Sequence, residues 1–484
     1  GQQAFSYTQP TDYKKLNSSN LPDPTILLPN KHFAAFTYTG TGSSGDVVNI
    51  TNSDVDFTPD WVWVKTRNVT NNHILTDSVR GGSKNLESNS TYAEQTDTDK
   101  IRAFIQNGFE SGTDGDTNWS GGRPFVAWNW NGGDTDGKTY TVKVVSDGGN
   151  KYRFDNFGTS AVTLDLAEGG TYIFDQSDSS NAGHPLRFST TADGTHGGGS
   201  EYTTGVTTSG TPGSSGAFTQ IVVAASAPNL AYYCTNHSGM GGAINTNSTL
   251  GSSNFDGTTQ TTVKVNQTAG FSIVTYTGNS TDGSTIGHGL GVTPNHVIWK
   301  NRTSGSSQWI NWQTQLGDNF LLLNLTNAQA GASGNGLFTY GDFNSTTLKL
   351  KTATQTNLNT HNYVAYCFSE VAGYSKFGSY TGNGSSDGPF VFTGFTPRWI
   401  LLKCSGSTGN WVLIDTERPS GGNFINYNTL SPNLSSAENS SGGVTNDILS
   451  NGFKLRGATD RNISGQQHIY LAFAESPFKN ARAR

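Results

Sequence analysis

Three stretches of the chain are versions of one another: FTPDWVWVK (Phe57 to Lys65), VTPNHVIWK (Val292 to Lys300) and FTPRWILLK (Phe395 to Lys403). Each holds a Thr-Pro pair and an apolar run ending in Lys, and each follows a similar turn, YTGTG from Tyr38, YTGNS from Tyr276 and YTGNG from Tyr380. The spacing from that Tyr to the Pro is 21, 18 and 17 residues. The copies also close alike, on RPFVAWNW (Arg123 to Trp130), NYVAYCFSE (Asn362 to Glu370) and HIYLAFAE (His468 to Glu475), after turns at Asn118, Asn357 and Asn462. Agreement in order and spacing marks one structural unit used three times.

The unit reads as strands. Pro fixes φ and cannot donate into a ladder, so it suits the start of the apolar run. Only 14 % of residues are charged, Gly counts 60 and aromatics reach 11 %, which fits short strands joined by many turns better than amphipathic helices. The expected fold is all-β, with each copy a β-sandwich of about a hundred residues. Trp61, Trp63, Trp299, Trp309, Trp399 and Trp411 fall on these strands and are expected in the core, while a minority of the tryptophans stack on sugars.

The repeat is interrupted. From Pro294 to Pro397 is 103 residues, but from Pro59 to Pro294 is 235, so another domain lies between the first and second copies. Its segments TYTVKVV, KYRFDNF, TYIFDQ and FTQIVV alternate apolar and polar residues, as strands of a sandwich do. The expected organisation is a linker over 1–33, sandwiches over 34–133, 262–372 and 374–484, and the interrupting domain over 139–248.

That domain carries YYCTNHSGMGG, in which Cys234, His237 and Met240 recur at equal intervals, and an upstream His184 in SNAGHPLRF. Two imidazoles and a thiolate in a plane, with a weak axial thioether, are the donor set of a copper centre that exchanges electrons. With this set the domain resembles the cupredoxin family, and the Cys-x2-His-x2-Met spacing is that of its short-loop members. The resemblance implies a Greek-key sandwich holding copper through His184, Cys234, His237 and Met240. In plastocyanin a Pro precedes the first His, whereas here Pro185 follows it, so His196 stands as the reserve candidate. Without metal, Cys234 reads as a small buried apolar group and Met240 as core filler.

Other chemistry is scarce. No alternating Glu and Asp of the kind Glu-x-Asp-x-x-Glu, suited to glycoside cleavage, occurs, and no His-Glu-x-x-His. Asp77 with Arg80, and Asp415 with Arg418, recur as a like-spaced couple and read as structural ion pairs; the middle copy has Gln313 and Leu316 instead. A net charge of -6 leaves no basic surplus for nucleic acid, and no run of 18 apolar residues suits a bilayer, so a soluble chain is expected. Three cysteines cannot build a disulfide framework. The chain opens on Gly1 rather than Met, as a processed product or a piece of a longer protein does.

The copies GYSKFGSYTGNGSSDGPFVFTGFTPRWILLK and YLAFAESPFKNARAR resemble the concanavalin A-like, jelly-roll or SPRY-like, repeat modules of marine bacteriophage (cyanophage) structural proteins, and GQQAFSYTQPTDYKKLNSSNLPDP is similar to their linkers. The resemblance implies a non-enzymatic virion component, a tail fibre, tailspike or surface decoration, bound to other virion proteins and adhering to a host glycan or receptor. It also implies a homo-oligomer, with a trimer favoured. An extracellular copper electron carrier and a polysaccharide-degrading enzyme are the alternatives.

Overall fold

The computed structural model describes residues 23–42, 48–134, 137–420, 426–439, 446–457 and 459–480; most of the expected linker, 1–22, lies outside them. The fold is all-β, in several separate sheets, with only short 3-10 turns besides. Among the described residues no helix is long and apolar enough to cross a membrane.

Each repeat builds its large sheet the same way. In the first copy an opening strand, Phe33–Thr39, pairs with the closing strand Pro124–Trp130; that strand pairs with Trp61–Thr66, and Trp61–Thr66 pairs with Ile74–Asp77. The second repeats the order as Phe271–Thr277, Asn362–Phe368, His296–Asn301 and Ile310–Gln313. The third uses Ser375–Thr381, Gln467–Pro477, Phe395–Cys404 and Val412–Asp415. The Thr-Pro pair precedes the strand in the first two copies. In the third, Pro397 lies inside the strand at a register shift, where a missing N–H is tolerated.

The shared turn motif has a shared mechanism. Tyr38, Tyr276 and Tyr380 donate to the carbonyls of Thr117, Thr356 and Arg461 at 2.5, 2.6 and 2.7 Å. The next residues, Asn118, Asn357 and Asn462, accept from the backbone N–H of Thr41, Asn279 and Asn383 at 2.9, 3.0 and 2.8 Å. Each Tyr and Asn therefore pin the opening turn to the loop before the closing strand, satisfying backbone groups that would otherwise be buried unpaired.

The apolar runs are buried on both faces, and alternation along the strand decides which way each residue goes. Val62 and Val64 pack inside the first sandwich against Ile50, Ile101 and Phe109 of its small sheet. Trp61 and Trp63 face the other way, into a core that also takes Phe271, Ile298 and Tyr366 of the second copy and Trp399, Leu401 and Phe473 of the third. The three sandwiches thus share one central core.

The contacts around that core run in a ring. Glu94 N–H donates to Arg302 O, Gln329 N–H to Ser405 O and Glu438 N–H to Arg67 O, at 2.8, 2.9 and 2.7 Å, joining first to second, second to third and third to first. The Asp-Arg couples sit at two of these junctions. Arg80 bonds Asp77 and reaches Glu94 at 3.0 Å, Glu94 also takes Arg302, and Tyr366 of the second copy donates to Asp77 at 2.7 Å. In the same way Arg418 bonds Asp415 and Glu438, Glu438 takes Arg67, and Trp128 of the first copy donates to Asp415 at 2.9 Å. At the third junction Gln313 donates to Gly378 O at 2.9 Å, and Leu316 and Leu471 join the apolar core.

Between the first and second copies stand two further sheets with a separate core. One orders Asn150–Phe154, Gly137–Ser146, Thr171–Asp175, Phe218–Val222 and Val206–Ser209; the other orders Leu164–Asp165, Gly242–Asn245, Leu230–Cys234 and Leu186–Ser189. Two pairings are parallel, Gly137–Ser146 with Thr171–Asp175 and Leu164–Asp165 with Gly242–Asn245. Tyr140 donating to Ser253 O at 2.8 Å, and Phe255 seated in its core, tie this module to the second copy.

Candidate metal centre

Cys234 ends the strand Leu230–Cys234, and the chain returns as Gly242–Asn245 to pair with that strand, so residues 235–241 form the connecting loop. Glycine is required for the return: a Cβ on Gly241 would stand 1.7 Å from Tyr232 O. Across the ladder Cys234 faces Leu186, which sets His184 just beyond the neighbouring strand and beside the thiol. The two loops are then fastened together by Thr235 N–H to Pro185 O at 3.1 Å and Asn236 Nδ2 to Gly183 O at 2.9 Å. Pro185 after the His serves as that acceptor.

His184 Nδ1 lies 3.8 Å and His237 Nδ1 3.7 Å from Cys234 Sγ. The two rings have centroids 4.5 Å apart, and the three donor atoms all fall within 4.8 Å of one another. A first-row metal with bonds of about 2.3 Å to sulfur and about 2.05 Å to imidazole, at about 120°, separates sulfur from nitrogen by about 3.8 Å. Both sulfur–nitrogen separations therefore match that of ligands sharing one ion. Among the described residues this is the one grouping of three such side chains at coordination range. Cys234 is buried, His184 half-buried and His237 exposed, so the thiol is shielded while one imidazole reaches the surface.

Burial, then the neighbouring His237, lowers the pKa of His184, which favours the neutral imidazole that binds metals. Met240 closes the loop, 1 % exposed in the same core as Cys234, with its carbonyl accepting Tyr152 N–H at 3.0 Å. His196, the reserve candidate, stands outside the grouping; its Nε2 bonds Cys234 O at 3.0 Å. Tyr152 Oη and Gln176 Nε2 hold His184 O at 2.9 and 2.8 Å. Sequence reasoning missed these supports, because a bond to a backbone carbonyl leaves no signature in residue type.

A family described as a domain of unknown function (DUF7483) matches residues 28–154 and 243–477. The chain belongs to that family. The match passes over 155–242, the part of this DUF7483 protein that holds His184, Cys234, His237 and Met240. No curated protein and no solved structure matches the chain.

The like-spaced Asp and Arg residues are structural ion pairs at the junctions between copies, with both partners wholly buried. Cys234, Cys367 and Cys404 are all free thiols.

Proposed function

We propose that this protein is a non-enzymatic structural and adhesion component of a virus particle surface that carries a type 1 copper-like centre on a three-sandwich body. The observation that carries the metal assignment is the convergence of His184 and His237 on the Cys234 thiol at 3.8 and 3.7 Å. Bound copper supplies one-electron transfer. The chain's own part is to hold two imidazoles and the Cys234 sulfur in fixed positions, through Thr235, Asn236, Tyr152 and Gln176, so that a change of metal charge needs little movement. Exposed His237 gives the centre its contact with solvent or a partner.

The adhesion role draws on the resemblance to phage structural modules and on a surface poor in charge and rich in Asn, Ser and Thr. Weak contacts at several sites on one rigid body add by avidity. Metal analysis after incubation with Cu(II) and dialysis tests the first part: one copper per chain is expected, and none in His184→Ala. Adsorption of the purified chain to host cells tests the second. Release of reducing ends from a glycan would instead favour an enzyme.

A further inference from the structure

The chain has ten tryptophans, all within the described residues, and nine are buried; Trp119 is 43 % exposed. It follows Asn118, whose side chain is clamped by the N–H groups of Thr41 and Gly42 at 2.9 and 3.1 Å and by Gly112 O at 2.9 Å. The backbone under the indole is therefore fixed. Gly40 packs against it, since a Cβ there would stand 2.4 Å from Trp119 O, and Gly121 and Gly122, at φ +96° and +78°, turn the chain away with open space around them. At the matching positions the other copies carry Leu358 and Ile463, both partly buried, so only the first copy offers an aromatic ring here.

The Arg123 guanidinium lies over this ring, 4.7 Å from its centroid, and among the described residues no carboxylate pairs with it. With Arg123 on one face, the open surface is the other face and the rim. A cation at that distance holds the ring in place and keeps N–H donors beside it. Asp114 and Asp116 flank Gly115, against which Trp119 and Arg123 both pack. Both carboxylates are engaged, Asp116 with Lys100 at 3.2 Å and Asn72 N–H at 3.0 Å, and Asp114 with Asp116 N–H at 2.8 Å, so they hold the loop under the ring. An apolar flat surface bordered by the N–H donors of Arg123 matches the apolar face and hydroxyl rim of a pyranose.

We propose that Trp119 and Arg123 form a binding platform for a hexose unit of a surface glycan. This deepens, and rests on, the adhesion role above. Because the other nine indoles are buried, acrylamide quenching of the full chain reads Trp119. Cellohexaose, maltohexaose and laminarihexaose serve as probes. At least one of them is expected to protect the quenchable emission. With binding of the same sugar read by isothermal titration calorimetry, since the variants lack the reporting indole, Trp119→Phe is expected to keep binding, and Trp119→Ala to weaken it about tenfold with an unchanged unfolding midpoint. No protection by any of the three sugars overturns the platform, as does binding that Trp119→Ala leaves intact. Adsorption of the wild-type chain to host cells is measured alongside. Its absence removes the adhesion role, whereas adsorption without protection removes the Trp119 platform alone.

Discussion

His237 and Met240 occupy the same short loop yet differ in what their removal costs. His237 is exposed, so His237→Ala is expected to leave metal-free stability within about 0.5 kcal/mol while abolishing the blue colour of the copper form. Met240 is buried in the module core, and Met240→Ala is expected to lower metal-free stability by about 2–5 kcal/mol. Chemical denaturation of the apo proteins, set beside their spectra with Cu(II), separates the two roles. Three of the four ligand candidates were legible because they fall within seven residues, at a strand end and on the loop that follows it. His184 was legible only as a His before a strand; what brings it to the thiol is the pairing of Leu186 with Cys234, which a sequence does not display.

The strands carry the next level of detail. WVWVK has apolar residues at both parities, a sign of burial on two faces that was readable in the sequence; where the second face goes was not. Its answer lies in the ring, where the first and third copies use Asp, Arg and Glu and the second uses Gln313, Leu316 and Gln329. Asp77→Ala strands a buried Arg80 and is expected to cost about 3–5 kcal/mol. Changing the junction together to the uncharged pattern, Asp77→Gln, Arg80→Leu, Glu94→Gln, Arg302→Ser and Tyr366→Leu, is expected to recover most of that loss in urea unfolding. The Lys ending each run is also buried. Burial lowers Lys65, Lys300 and Lys403 to about 8, 7 and 8, from an ordinary 10.5, although their ammonium groups reach backbone carbonyls. The unfolded chain keeps these protons up to about pH 10.5 while the folded chain gives them up near 7 to 8, so this penalty is relieved and stability rises with pH across that window. Lys300→Met is expected to flatten part of the rise, read as the unfolding midpoint from pH 6.5 to 10.

At the level of the whole molecule, three copies in one chain close a ring in which each contacts the next, the arrangement otherwise made by a homotrimer. Internal repetition was plain from the sequence, but a repeat does not say whether its copies string out or close up. Because the ring is already complete, light scattering of the purified chain is expected to give the mass of one chain rather than the trimer that phage modules suggested. The interrupting module keeps a separate core and touches the body through Tyr140, Ser253 and Phe255, so the grouping of His184, Cys234 and His237 is built on its own sheets. The most direct measurement of the central claim is a Cu(II) titration of the metal-free chain followed by visible absorption. An intense blue band that saturates at one ion per chain and is missing in Cys234→Ser is the expected result. A titration without colour, or colour that survives Cys234→Ser, would contradict it.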